Sequence, residues 1–454
     1  MNRRDQYKHM VIFLTSMVTL AFETGIFAII WYSVYKHFMP NPFHLKGNWA
    51  AIALYALMMF FCTKGFNGYD VGTMRTGNAI VSNLLAIVSG NILGYLEIVL
   101  LTVRYQPIQL MLMITVFEMI VVSIWMVIVR RLFLKLYPPH KMIVVYSEYS
   151  PKDMLHKLNE RNDRYDICKT ICMKEGMMAV AEEVLNYEAV LLYDLGAKER
   201  NDMLKFCFDH SIRTYLTPKV SDIIISGMET IYMFDSPLYL ARNMGLSPMQ
   251  RVIKRAADIV ISLIGIVISS PIMLVVAICI KACDHGPVFY RQNRLTINEK
   301  PFKIIKFRSM YVDSEKGVAQ LARKHDSRIT PVGKVIRNLH FDELPQFFNV
   351  LKGDMSIVGP RPERPEIFEQ YEEYVPEFVF RLKVKAGLTG FAQVHGRYNT
   401  TPIDKLKYDL IYIQNFSLIM DLKLMLLTFK ILFQKETSEG VDDSQRTAMK
   451  DSKR

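Results

Sequence analysis

The stretch FDELPQFFNVLKGDMSIVGPRP, Phe341 to Pro362, brings together two adjacent carboxylates, Asp342 and Glu343, a glycine-rich turn, and an arginine framed by prolines, Arg361. Pro345 suits the first turn of a helix that Gly353 ends, so the acidic pair is expected at or just before its N-terminus. Backbone N–H groups and the helix dipole favour negative charge there, so both carboxylates are expected to be ionised near neutral pH and phosphate is welcome. Acidic residues before a helix also serve as plain caps, and the residues alone leave both readings open. Adjacent side chains project in different directions, which excludes the flanking of a glycosidic bond by two carboxylates and suits two separate tasks. Arg361 is the best phosphate clamp because Pro360 and Pro362 restrict its backbone and its planar fork matches phosphate oxygens.

Two further stretches offer phosphate-binding means. KFRSM, Lys306 to Met310, carries Lys306 and Arg308, and GLTGFAQVHGR, Gly387 to Arg397, carries Arg397 with Gly387, Gly390 and Gly396 for close backbone approach. His340 and His395 flank these motifs and read as packing or hydrogen-bonding residues rather than general bases.

Composition sets what must hold such a site. A chain of 454 residues suggests about three domains. Hydrophobic residues make up 51% beside 22% charged ones, so membrane segments and polar domains must be segregated along the chain. A net charge of +12 fits anionic lipid, phosphorylated substrates or nucleic acid, and its location has to decide. The six cysteines, scattered through apolar membrane and core segments, form no CxxC pair and no metal-ligand spacing with histidine, so they read as reduced, buried small residues and the polar domains as cytoplasmic.

Four apolar stretches, Val11 to Tyr35, Trp49 to Thr63, Ala79 to Val103 and Ile108 to Val129, predict a four-helix transmembrane bundle over residues 1–136, the second stretch being short. Arg3, Arg4 and Lys8, then Lys64 and Arg75, then Arg130, Arg131 and Lys135 place the N-terminus and everything after Lys135 on the cytoplasmic side. Glu23, Asn83, Asn91, Glu97 and Glu118 are polar groups in this apolar setting. A transport pathway is one reading, and bonding across helices or at interfaces is the plainer one, since no paired cation or broken-helix repeat accompanies them.

After the linker Tyr137-Pro138-Pro139, strands alternate with helices, which predicts a small doubly wound parallel sheet, a Rossmann-like domain over 141–240. The turn after its first strand reads VVYSEYSPKD and has no glycine, so a regulatory or structural role is expected in place of dinucleotide binding. Beyond it, AADIVISLIGIVISSPIMLVVAICIK carries uncharged residues from Ile259 to Ile280. Basic residues flank both sides, and Ser269, Ser270 and Pro271 stand in the middle. A re-entrant hairpin over 254–283, broken at Ser270 and Pro271, reconciles length, break and charge, with an ordinary kinked transmembrane helix as the alternative.

KRAADIVISLIGIVISSPIML, PVFYRQNRLTINEKPFKIIKFRSM, RITPVGKVIRNLHFDELPQFFNVLKGDMSIVGPRP and KAGLTGFAQVHGR together resemble the bacterial sugar transferases, the monotopic polyprenyl-phosphate phosphoglycosyltransferases. The last twenty residues, 435–454, are polar and read as a disordered tail. The resemblance implies a catalytic α/β domain over 250–434 and the layout of the family's large form: membrane bundle, Rossmann-like domain, monotopic catalytic domain. It implies transfer of hexose-1-phosphate from a UDP-sugar to undecaprenyl phosphate with release of UMP, as the first membrane step of exopolysaccharide, capsule or O-antigen synthesis. It places the enzyme in the bacterial inner membrane with its catalytic domain cytoplasmic.

The resemblance also assigns roles. Asp342 matches the family's nucleophile, which forms a covalent aspartyl-phosphate sugar intermediate, and Glu343 matches the ligand of a Mg²⁺ cofactor. Arg361, Arg337, Lys306, Arg308 and Arg397 match phosphate- or nucleotide-binding positions, with a solvated surface role for Arg337 as the alternative. UDP-sugar, undecaprenyl phosphate and membrane lipid are the implied partners; nucleic acid is not, and a homo-oligomer is left open. The chain departs from the family at Thr296 and Glu299, where glycines are common, and at His340, where serine is common. A silent scaffold and a transporter built on the bundle are the competing classes, disfavoured by intact motifs and by the lack of repeat symmetry respectively.

Overall fold

The computed structural model describes residues 7–40, 43, 45–241, 245–312, 328–396 and 400–432. The expected tail, 435–454, lies outside the described residues. The chain divides into two compact units, Met1–Pro218 and Lys219–Arg454.

The first unit opens with α1 (Lys8–Ser33), α2 (Leu45–Gly65), α3 (Thr76–Thr102) and α4 (Ile108–Leu136). By length and composition α1, α3 and α4 can cross a membrane, with hydropathy of 1.8, 2.0 and 2.5. Helix α2 forms as expected but is not among the described helices that qualify, in keeping with its shorter apolar core. Thr19, Glu23, Phe27 and Trp31 recur every four residues on α1, so they share one face, and all are buried. The polar groups divide. Asn83 donates to the carbonyls of Gly68 and Ala79, and Asn91 of α3 donates to Glu118 of α4 at 2.7 Å. These three follow the cross-bonding expectation, whereas both carboxylate oxygens of Glu23 and of Glu97 are buried without a hydrogen-bond partner among the described residues.

Strands β1 (His140–Tyr146), β2 (Tyr165–Cys172), β3 (Ala189–Tyr193) and β4 (Arg213–Leu216) pair in parallel, in the order β2-β1-β3-β4, with helices α5 (Lys152–Asn159), α6 (Met177–Val184) and α7 (Ala197–Asp209) between them. Met142 to Val145 are all buried, as a central parallel strand covered on both faces requires. Arg130, whose charge suggested only a cytoplasmic flank, is buried; it donates to the Val71 carbonyl at 2.7 Å and pairs with Asp163 of the sheet domain.

The second unit begins with α8 (Val220–Ser226) and the hairpin β5 (Glu229–Met233) and β6 (Ser236–Leu240). Then comes α9 (Pro248–Asp284), 37 residues with hydropathy of 2.8, started by Pro248 and a Ser247 cap that accepts from the Gln250 N–H. Helical structure continues through Pro271. Proline leaves the carbonyl four residues back, that of Val267, without its donor, and the Ser270 hydroxyl supplies one at 2.8 Å. The expected break at Ser270 and Pro271 is therefore a proline accommodated within a continuous helix.

The base of α9 is tied into the domain. Lys254 pairs with Asp421 at 2.6 Å, Arg255 donates to the carbonyls of Val350 and Leu351, and Asp258 accepts from the Ser356 hydroxyl and the Ile357 N–H at 3.0 Å each. Two of the basic residues that signal topology thus also serve as internal fasteners.

Candidate active site

Strands β7 (Phe289–Leu295) and β8 (Pro301–Phe307) form an antiparallel ribbon in which Lys306 pairs with Tyr290. The loop between them explains the family's glycine: Glu299 holds a φ of 57°, in the left-handed region. Thr296, at the other departure, instead gains bonds, donating to the Asp354 carbonyl and accepting from the Ala386 N–H.

After α10 (Pro331–Asn338), His340 takes a φ of 57° and opens a short 3₁₀ turn, Phe341–Glu343, ahead of α11 (Gln346–Lys352). Pro345 stands at the N-cap and Gly353 ends the helix at φ 98°, where a side chain would strain the backbone. The acidic pair thus precedes α11 as its sequence predicts. The two carboxylates meet different surroundings.

Glu343 Oε1 accepts from Lys306 Nζ at 2.8 Å and from Arg361 at 2.9 Å. Burial works against its charge, but Arg361 and Lys306 outweigh it and hold this carboxyl well below the usual carboxylate range. Asp342 accepts no hydrogen bond from the described residues. Burial and then the adjacent Glu343 charge raise its carboxyl above the ordinary value, against the opposing charges of Lys306, Arg337 and His340. The two carboxyls are therefore unequal: Glu343 is held as an anion by its two cations, and Asp342 has a raised pKa and oxygens without a donor among the described residues.

The GPRP segment is held by its backbone. Gly387, in the short strand Gly387–Thr389, donates to the Pro360 carbonyl at 2.9 Å, Arg381 to that of Arg361 at 3.0 Å and Arg294 to that of Pro362 at 3.1 Å. Arg381 is in turn fixed by Asp409 at 2.8 Å, both side chains being almost wholly buried. Gly387 and Gly390 pack backbone on backbone against Gly359, so their missing side chains serve this clamp.

Asp342, Glu343, Lys306 and Arg361 therefore gather, and Arg337 lies on α10 near enough for its charge to act on Asp342. Arg308 points elsewhere. Its fork is spent on both carboxylate oxygens of Asp284, and its Nε donates to the Pro287 carbonyl, which locks the end of α9 to β8. Arg397 lies outside the described residues. Sequence reasoning passed over Arg294, Arg381, Asp409 and Asp258. Asp258 had a signal, a lone carboxylate at the head of an uncharged stretch.

No group of three or more metal-ligating side chains gathers among the described residues. Glu343 Oε1 is taken by Lys306 and Arg361, so Glu343 Oε2 and the Asp342 oxygens, which accept no hydrogen bond from the described residues, would be the atoms open to a Mg²⁺ ion that completes its shell with phosphate oxygens and water. Asp284→Ala leaves the Arg308 guanidinium buried without its partner and is expected to cost about 3 kcal/mol of stability, seen as a lower thermal unfolding midpoint. An unchanged midpoint would show that Arg308 finds another anion.

In this unit a helix long and apolar enough to cross a membrane is rooted in a domain that sets a carboxylate pair beside clamped cations. A profile of the bacterial sugar transferase family matches residues 249–435. The chain is 39% identical over 254 residues, 55% of this chain and 59% of the relative, to the UDP-N-acetylgalactosamine-undecaprenyl-phosphate N-acetylgalactosaminephosphotransferase of Aeromonas hydrophila. It is 43% identical over 209 residues, 45% of this chain and 43% of the relative, to a UDP-glucose:undecaprenyl-phosphate glucose-1-phosphate transferase of Klebsiella pneumoniae. A Caulobacter vibrioides relative of that same description is 37% identical over 190 residues, 41% of this chain and 71% of its own length. The chain spans about half the length of the first two relatives. It belongs to the bacterial sugar transferase family.

Proposed function

We propose that the protein transfers hexose-1-phosphate from a UDP-sugar to undecaprenyl phosphate and releases UMP, in two steps through Asp342. The observation that carries this reading is the asymmetry of the acidic pair: Glu343 is engaged by Lys306 and Arg361, while Asp342 keeps free oxygens. In the first step an Asp342 oxygen attacks the phosphorus that bears the sugar, and the bond from that phosphorus to the UMP oxygen breaks. In the second, an oxygen of undecaprenyl phosphate attacks the same phosphorus and the aspartate leaves as a carboxylate. One site can thereby serve two unlike substrates in turn.

Arg361 and Lys306 offset the repulsion between an anionic nucleophile and a diphosphate, and Arg294 and Arg381 hold the backbone from which Arg361 reaches. A Mg²⁺ ion held by Glu343 would supply further charge neutralisation at the phosphates. Incubation with labelled UDP-sugars and undecaprenyl phosphate, scored by which sugar reaches the lipid fraction, tests the reaction; no transfer from any UDP-sugar would refute it. The pathway assignment is the first membrane step of exopolysaccharide, capsule or O-antigen synthesis.

We place the enzyme in the bacterial inner membrane with its catalytic domain cytoplasmic. In this reading the membrane bends α9 at Pro271, where the structure keeps it helical, so that it dips into one leaflet and returns. Both its ends should then react with an impermeant thiol reagent from the same side. In a cysteine-depleted chain, the exposed native Cys283 reports one end and Met249→Cys the other. Labelling of Cys283 alone from outside intact cells would require α9 to cross the membrane fully.

A further inference from the structure

Each helix of the apolar bundle sends a buried polar side chain into its interior: Glu23 from α1, Tyr55 from α2, Asn91 from α3 and Glu118 from α4. Their exposures are 0%, 0%, 3% and 0%. The Tyr55 hydroxyl lies 2.6 Å from Asn91 Oδ1 and 3.2 Å from Glu118 Oε1. The Asn91 amide donates one hydrogen to Glu118 Oε2 at 2.7 Å and the other to Thr115 Oγ1 at 3.0 Å. Thr115 spends its own hydrogen on the Met111 carbonyl.

Counting hydrogens exposes a deficit. A tyrosine has a single hydroxyl hydrogen, and here two acceptors compete for it. Whichever takes it, the other is left without a donor. Glu23 adds to the shortfall: it sits one turn from Phe27, whose ring stacks on Tyr55 with centroids 3.8 Å apart, and both its buried oxygens lack a hydrogen-bond partner among the described residues. The ionisable groups in electrostatic reach of Glu23 are Glu118, Tyr55, Cys62 and Tyr69, all acids.

Buried carboxyl oxygens without donors are costly in an apolar interior unless a positive guest satisfies them. Helical bundles build such sites from side chains on facing helices, as here. We propose that these residues form a cation site, with Glu23 and Glu118 as carboxyl ligands beside Tyr55 and Asn91, that takes one small monovalent cation, a proton or an alkali ion. Cys62, though in electrostatic reach of Glu23, completes no group of three metal ligands among the described residues, so nothing there favours a transition metal. Nothing in this site depends on the transferase reading.

Dicyclohexylcarbodiimide tests it, because it enters apolar interiors and adds to a protonated carboxyl to leave a stable N-acylurea. The full chain in detergent should acquire an adduct that peptide mass mapping places on Glu23 and that Glu23→Gln loses, with transferase activity unchanged in that variant. If the guest is a proton, the adduct falls as pH rises and ignores salt. If it is an alkali ion, sodium or potassium chloride protects Glu23 at constant pH and choline chloride does not. The proposal is overturned if Glu23 is unmodified under every condition, or if its modification is blind to both pH and alkali ions. These arms use the wild-type chain, so they decide the matter even if Glu23→Gln fails to fold.

Discussion

Asp342→Asn is expected to abolish turnover, lowering kcat by roughly 10⁴-fold or more, the scale on which loss of a catalytic nucleophile acts. An amide oxygen is a poor nucleophile towards phosphorus, and the substitution changes little else. Asp342 accepts no hydrogen bond from the described residues, so asparagine breaks none of those contacts, and it removes a charge from beside Glu343. Thermal unfolding and binding of the nucleotide sugar should therefore stay near wild type. UMP release in the presence of lipid acceptor measures the effect. Near-normal turnover would remove Asp342 from the chemistry, and a collapse of stability would make the kinetic loss uninformative about it.

Arg361→Ala is expected to cost about 2–4 kcal/mol of transition-state stabilisation, or roughly 10²–10³ in kcat/KM, by analogy with loss of an electrostatic donor at other sites. Arg361→Lys should recover part of this, since it restores charge without the planar fork. The pH profile separates Arg361 from its partner. Asp342 must be ionised to attack, and burial and Glu343 raise its pKa, so activity should fall on acidification earlier than for an ordinary aspartate. Glu343→Gln removes that neighbouring charge and frees Lys306 and Arg361 to face Asp342, so the acid limb should move to lower pH even as the maximal rate drops. A limb that stays in place would mean that a group other than Asp342 sets it.

Local chemistry made much of this site legible. Pro345 and Gly353 bracket α11 because one fits a helix start and the other tolerates a positive φ, and both constraints are visible in a single residue type. The alternation from β1 to β4 was equally readable, since a buried parallel strand is a short continuous apolar run. Long-range partners were not. KFRSM contains two cations two residues apart, Lys306 and Arg308, which a continuing strand would turn to one face; the strand ends at Phe307, and Lys306 reaches Glu343 while Arg308 reaches Asp284. Arg381 carries no local signal of its role, because its partner Asp409 lies 28 residues away in the sequence. The inequality of Asp342 and Glu343 was also hidden, because it depends on which cations reach each oxygen.

Intact-protein mass after brief incubation with UDP-sugar and Mg²⁺, without any lipid acceptor, tests the covalent scheme most directly. Wild type should gain the mass of a sugar phosphate, up to one per active site, and release an equal amount of UMP, while Asp342→Asn does neither. UMP release that strictly requires the lipid acceptor, with no adduct on wild type, would contradict the account and point to direct displacement.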